Sequence, residues 1–191
     1  GSSTFHLIAM AKQVHNQKPA WKKSMLYVLA LLGLQYIHGD VLPHHSRSLS
    51  VLVSTFDHLA SELLGNATNI QLAAGIYTVT STLNIIRDVT ISTDGGHVVL
   101  DGHLAGRVLQ IDSDNVDLVG LDIYKGVAYI KSGTVGFTKC DIHSNNASIS
   151  MKARGGGVAI LDGTVTFTDC MIYSNEGGGG VSIRDGTVTF T

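Results

Sequence analysis

The chain has 191 residues, of which 44% are hydrophobic and 15% charged, with a formal net charge of −2. No basic cluster is large enough to form a nucleic-acid groove, and two cysteines are too few for a disulfide scaffold. Glycine is abundant at 22 residues and proline is down to 2, a composition that suits short strands joined by tight turns.

Residues 1–39 read as an N-terminal segment with a secretory signal peptide. Met25 to Ile37 is a mostly apolar run, MLYVLALLGLQYI, with Lys18, Lys22 and Lys23 before it and Gly39 after it. A positive lead, a short apolar core and a small residue at the exit make that signal. The run is shorter than the ~20 residues needed to cross a bilayer. Met10 is the natural initiator, and cleavage is placed after Gly39. A membrane anchor and a buried amphipathic helix are the competing readings. The expected location is extracellular or at the cell surface.

Residues 40–68 are assigned to a linker and a capping helix. Phe56, Leu59 and Leu63 fall at helical spacing, Ser54 or Thr55 can cap the start, and Gly65 follows the end. Such a helix can cover the open end of a strand stack, which otherwise offers unpaired backbone groups.

From Asn69 to Thr191 the pattern changes to strand-like runs separated by turn residues: VTIS (89–92), HVVLD (97–101), RVLQI (107–111) and VDLVGLDI (116–123). Three later stretches repeat outright. GTVGFTKC begins at Gly133, GTVTFTDC at Gly163 and GTVTFT at Gly186, and the sequences flanking them repeat as well. A period of this length suits one coil of a solenoid. Alternation puts Val165 and Phe167 inward and the intervening threonines outward. Three short strands per coil are expected, at about 158–161, 164–168 and 170–174, with a one-residue corner at Asp169. Residues 145–154 are read as a protruding loop. The fold class is all-β: a right-handed parallel β-helix whose last repeat breaks off within a strand at Thr191, so further coils are expected.

Candidate chemistry is sparse. Asp112, Asp114 and Asp117 form the densest acidic group, with Asp112 and Asp114 placed in a turn. They suit calcium or sugar contact, or a solvated corner. No resident cofactor or metal is expected; calcium is the one ion considered. His97, Asp101 and His103 flank one strand without an evident metal geometry. Cys140 and Cys170 occupy equivalent positions, as stacked thiols or as a disulfide. Asn145 and Asn175 end equivalent strands and suit a hydrogen-bonded ladder. Asn66 and Asn146 head glycosylation sequons, with Asn146 the favoured one. Thr134, Thr138, Thr164, Thr166, Thr168, Thr187, Thr189 and Thr191 are expected to form an outward grid, as on ice-binding β-helices.

The segment from Phe56 to Ser92, FDHLASELLGNATNIQLAAGIYTVTSTLNIIRDVTIS, resembles the opening of pectate-lyase-like β-helix proteins, with Gly75, Ile76 and Tyr77 at a Gly-x-Tyr turn. The GGGV…GTVTFT.C.IYSN units are similar to repeats of polymorphic outer-membrane-type proteins and algal secreted β-helix proteins. The resemblance implies the fold, which carries lyases, hydrolases, adhesins and fibres alike. No Asn-Thr-Asp or Arg-x-Lys constellation like that of the pectin hydrolases is present. The leading expectation is a secreted, non-catalytic surface or matrix protein that contacts carbohydrate or assembles end to end into fibres. A polysaccharide lyase or glycoside hydrolase is the alternative, and ice binding the third.

Overall fold

The computed structural model describes residues 49–103, 106–147 and 156–191. The proposed signal peptide, and most of the segment expected to protrude after Asn145, lie outside them. The described chain is an all-β parallel solenoid of about six turns with one helix near its N-terminal side. In chain order the strands are β1 Ser50–Val53, β2 Asn69–Leu72, β3 Gly75–Thr78, β4 Leu83–Ile85, β5 Val89–Thr93, β6 Val98–Asp101, β7 Arg107–Val119, β8 Leu121–Tyr124, β9 Val127–Thr138, β10 Asp141–His143, β11 Val158–Ile160, β12 Thr164–Thr168, β13 Met171–Tyr173, β14 Val181–Ile183 and β15 Thr187–Phe190. The helix α1, Phe56–Leu64, lies between β1 and β2.

Every ladder is parallel, and the pairings form two hydrogen-bonded sheets. One runs β13-β10-β8-β6-β3. The ten-stranded sheet joins two series of pairings, because β7 and β9 run on where separate short strands were expected. Asp112 and Asp114 are therefore strand residues of β7 rather than turn residues. The corner appears only as register shifts between Ile111 and Asp112 and between Asp112 and Asn115. Gly75 and Tyr77 likewise belong to β3, not to a turn. The ladder also starts earlier than Asn69, since β1 pairs with β2 across the helix.

The core follows the alternation. Val165 stacks between Val135 and Val188, and Phe167 between Phe137 and Phe190. The three phenylalanine rings are stacked with centroids 5.0 Å apart. Val165 and Phe167 are buried, whereas Thr164 is exposed. One coil cannot dry its own apolar row; the next coil closes it.

The corners repeat too. Gly120, Lys139 and Asp169 all have positive φ at the bend into β8, β10 and β13. Lys125, Ser144 and Ser174 do so at the exits of the same strands. Left-handed backbone costs a non-glycine residue roughly 1 kcal/mol. The cost is offset by ladder continuity: Gly120 N donates to Thr138 O, Lys139 N to Thr168 O and Asp169 N to Thr191 O.

Helix α1 forms where the caps predicted. The Thr55 hydroxyl accepts from His58 N, Leu59 and Leu63 are buried, and the Arg87 guanidinium donates to the Glu62 and Leu63 carbonyls at the helix end. Among the described residues no helix is long and apolar enough to cross a membrane.

Asn145 is the one fully buried polar side chain among the described residues, and it forms the expected ladder. Its Oδ1 accepts from Gly126 N at 2.7 Å, and its Nδ2 donates to Ile123 O and to Asn175 Oδ1. Asn175 Nδ2 continues to Ile142 O. Replacing Asn145 with leucine strands the Gly126 N–H and the Ile123 carbonyl. Each stranded group costs about 1–3 kcal/mol, so an overall loss of ~3 kcal/mol is expected from urea unfolding. Asn175→Leu, at a less buried site, should cost less.

Candidate functional site

A polar constellation drawn from several coils lies on the outer face of the smaller sheet. Alternation sends Leu121 and Ile123 of β8 into the core and leaves Asp122 and Tyr124 outside. The same parity exposes Asp141 and His143 on β10 and Met171 and Tyr173 on β13. Parallel register then builds two files across consecutive coils. One reads Val99, Asp122, Asp141, Met171; the other reads Asp101, Tyr124, His143, Tyr173.

Asp122 sits at the centre, with its side chain 13% exposed. His143 Nε2 lies 3.1 Å from its Oδ1, and His97 Nε2, from the turn before β6, lies 3.4 Å from its Oδ2. The His143 contact is a close approach rather than an aligned hydrogen bond, because Oδ1 is shielded from solvent and has no donor directed at it. A shielded carboxylate oxygen in this state costs free energy unless a donor reaches it. The His143 ring is stacked on Tyr173 at 4.8 Å and 5° and lies 5.2 Å from Tyr124. Its Nδ1 is 3.1 Å from Ser144 Oγ. The Lys125 ammonium stands 4.6 Å from the Tyr124 ring centroid, and the Tyr124 phenol pushes its pKa up. The face thus presents carboxylate acceptors, phenol hydroxyls and imidazole nitrogens that donate or accept, an inventory suited to hydroxyl-rich ligands.

The aspartates picked out from sequence have other commitments. Asp112 accepts from Lys131 Nζ and from Ser132 Oγ, which hold its carboxyl below the usual carboxylate range. Asp114 is exposed. The Asp117 carboxylate fills the space beside Gly136 in the next coil. Asp88, not singled out from sequence, ties this region together. It accepts from Ser113 Oγ and Asn115 N at 3.0 Å, and these bonds lower its pKa. Among the described residues no cluster of three or more His, Cys, Asp or Glu has the arrangement of a metal site. His97 and Asp101 diverge: His97 meets Asp122, while Asp101 Oδ1 accepts from His103 N within its own turn.

The threonines stack in register, Thr134–Thr164–Thr187 and Thr138–Thr168, and Thr168 Oγ1 is 2.9 Å from Thr191 Oγ1. The middle file of Thr166 and Thr189 is interrupted by Gly136 and Asp117 in the coils before. Of the sequons, Asn66 is exposed, whereas Asn146 Nδ2 donates to Glu176 Oε2 at 2.9 Å. Cys140 and Cys170 are both free thiols. No protein-family model matches the chain, and no curated protein or solved structure matches it.

Proposed function

We propose that the chain is a secreted, non-catalytic structural or adhesive solenoid of a cell surface or extracellular matrix. It contacts carbohydrate through the outer face of β8, β10 and β13. The observation that carries this reading is the alignment of Asp122, Asp141, Tyr124, His143 and Tyr173 across three coils of one stack. Their backbones are fixed by parallel ladders, so the polar groups are held at the coil spacing of about 4.8 Å. A binding face held in place by its scaffold loses little ordering entropy on contact. End-to-end assembly into fibres is compatible with the same reading.

Affinity electrophoresis through gels containing neutral glycans or pectin tests it. Retardation by at least one polymer is expected. Asp122→Asn should weaken binding roughly tenfold, the scale of one hydrogen bond to a charged acceptor. Absence of retardation in every polymer would remove the carbohydrate reading.

A polysaccharide lyase or glycoside hydrolase is the second reading. It is favoured by Asp122 and Asp141 being ladder partners with His143 beside them. Paired carboxylates are the acid–base apparatus of glycoside hydrolysis. Release of reducing or unsaturated ends from the same polymers, lost in Asp122→Asn, would establish this reading and displace the first.

A further inference from the structure

We propose that Cys140 and Cys170 are a disulfide site, at which oxidation clips two consecutive coils together. The two residues occupy the same place in their coils. Thr138 pairs with Thr168 and Asp141 with Met171, and Met171 N donates to Cys140 O. Neighbours across a parallel ladder have Cα atoms about 4.8 Å apart, inside the window a disulfide accepts. Cys170 Sγ already lies 3.4 Å from Cys140 N. The sulfurs now make weak contacts with the preceding coil, Cys140 Sγ with Leu118 O and Cys170 Sγ with Phe137 O, both at 3.3 Å.

The environments of the two thiols differ, which sets the order of events. Cys140 is fully buried, and Cys170 is half-buried. The contact with Cys170, together with burial, pushes the Cys140 thiol up, while the Cys140 thiol and its backbone N–H favour thiolate at Cys170. Cys170 is therefore the attacking sulfur. With oxidised glutathione as the oxidant, the Cys170 thiolate attacks one glutathione sulfur and expels the other as thiolate. Cys140, losing its proton, then attacks the Cys170 sulfur of the mixed disulfide and expels the second glutathione. Two protein thiols lose two electrons and two protons, and one glutathione disulfide becomes two thiols.

The test is to incubate the full chain with oxidised glutathione, then count thiols and map peptides without reduction. Loss of both thiols, a Cys140–Cys170 cross-linked peptide in a monomer, and a rise in melting temperature of roughly 10 °C for a loop of this length are expected. Restoration of both thiols and of the original melting temperature by dithiothreitol completes the expected result. A stable glutathione adduct on Cys170 with Cys140 still reduced, or cross-linking only between chains, would overturn the proposal. The variant Cys140→Ser provides the control. It should stop at the Cys170 adduct, and no adduct in that variant would refute the assigned order of attack.

Discussion

Replacing Val165 with aspartate is expected to unfold the coils on either side of it. Val165 has no exposed surface and stacks between Val135 and Val188. A carboxylate there has no cation or donor within the apolar row. It must either shed its hydration or take up a proton, and both cost several kcal/mol. A domain has only about 5–15 kcal/mol of stability in total. Because each coil is held chiefly by its neighbours, the loss is felt first in the adjoining turns. The measurement is a circular-dichroism melt with a urea titration alongside. A loss of at least ~4 kcal/mol is expected, with weakened β signal at room temperature. Thr164→Asp, one residue away and exposed, should change stability by no more than about 0.5 kcal/mol. Similar melts for the two variants would contradict the inward placement of Val165.

Gly133→Ala is the second substitution expected to be severe, for a reason that involves no side chain of the wild type. Gly133 has φ +98, and a Cβ built on it would sit 1.7 Å from the Ser113 carbonyl oxygen of the preceding coil. Its successors share the constraint: a Cβ on Gly163 would approach Gly133 O at 2.3 Å, and one on Gly186 would approach Gly163 O at 2.4 Å. Neither backbone can yield without breaking ladder bonds. A cost of about 4 kcal/mol is expected from the urea midpoint. Gly179→Ala separates the two causes. Gly179 has φ +83 but open space around it, so alanine there meets the conformational penalty alone, about 1 kcal/mol. Equal losses at the two positions would mean that coil-to-coil contact is not the reason for Gly133.

The repeats made the C-terminal registers legible. Identical GTVTFT stretches can stack only with valine on valine and phenylalanine on phenylalanine, and Asn145 and Asn175 were readable for the same reason. The upstream coils carry no such motif, and there the sequence was less informative. The SVLV of β1 is too short to be distinguished from a linker, yet it begins the ladder. The turn expected at Asp112 and Asp114 is absorbed into β7, because aspartate and asparagine report a taste for corners without showing whether the ladder is interrupted. The cluster around Asp122 could not be read at all. His97, Asp122 and His143 come from three coils of unequal length, and alternation alone shows that each faces outward without showing which of them meet. His97 and Asp101 are near in sequence but do not meet, because the His97 imidazole reaches across to the next strand rather than along its own.

The strands β10 and β13 are offset by 30 residues, whereas β11 and β14 are offset by 23. The difference of seven is spent entirely between His143 and Val158, while the registers before and after it stay matched. The ladders on either side thus accept connections that differ by seven residues. A connection between β10 and β11 altered in length is therefore expected to leave the ladders on either side in place.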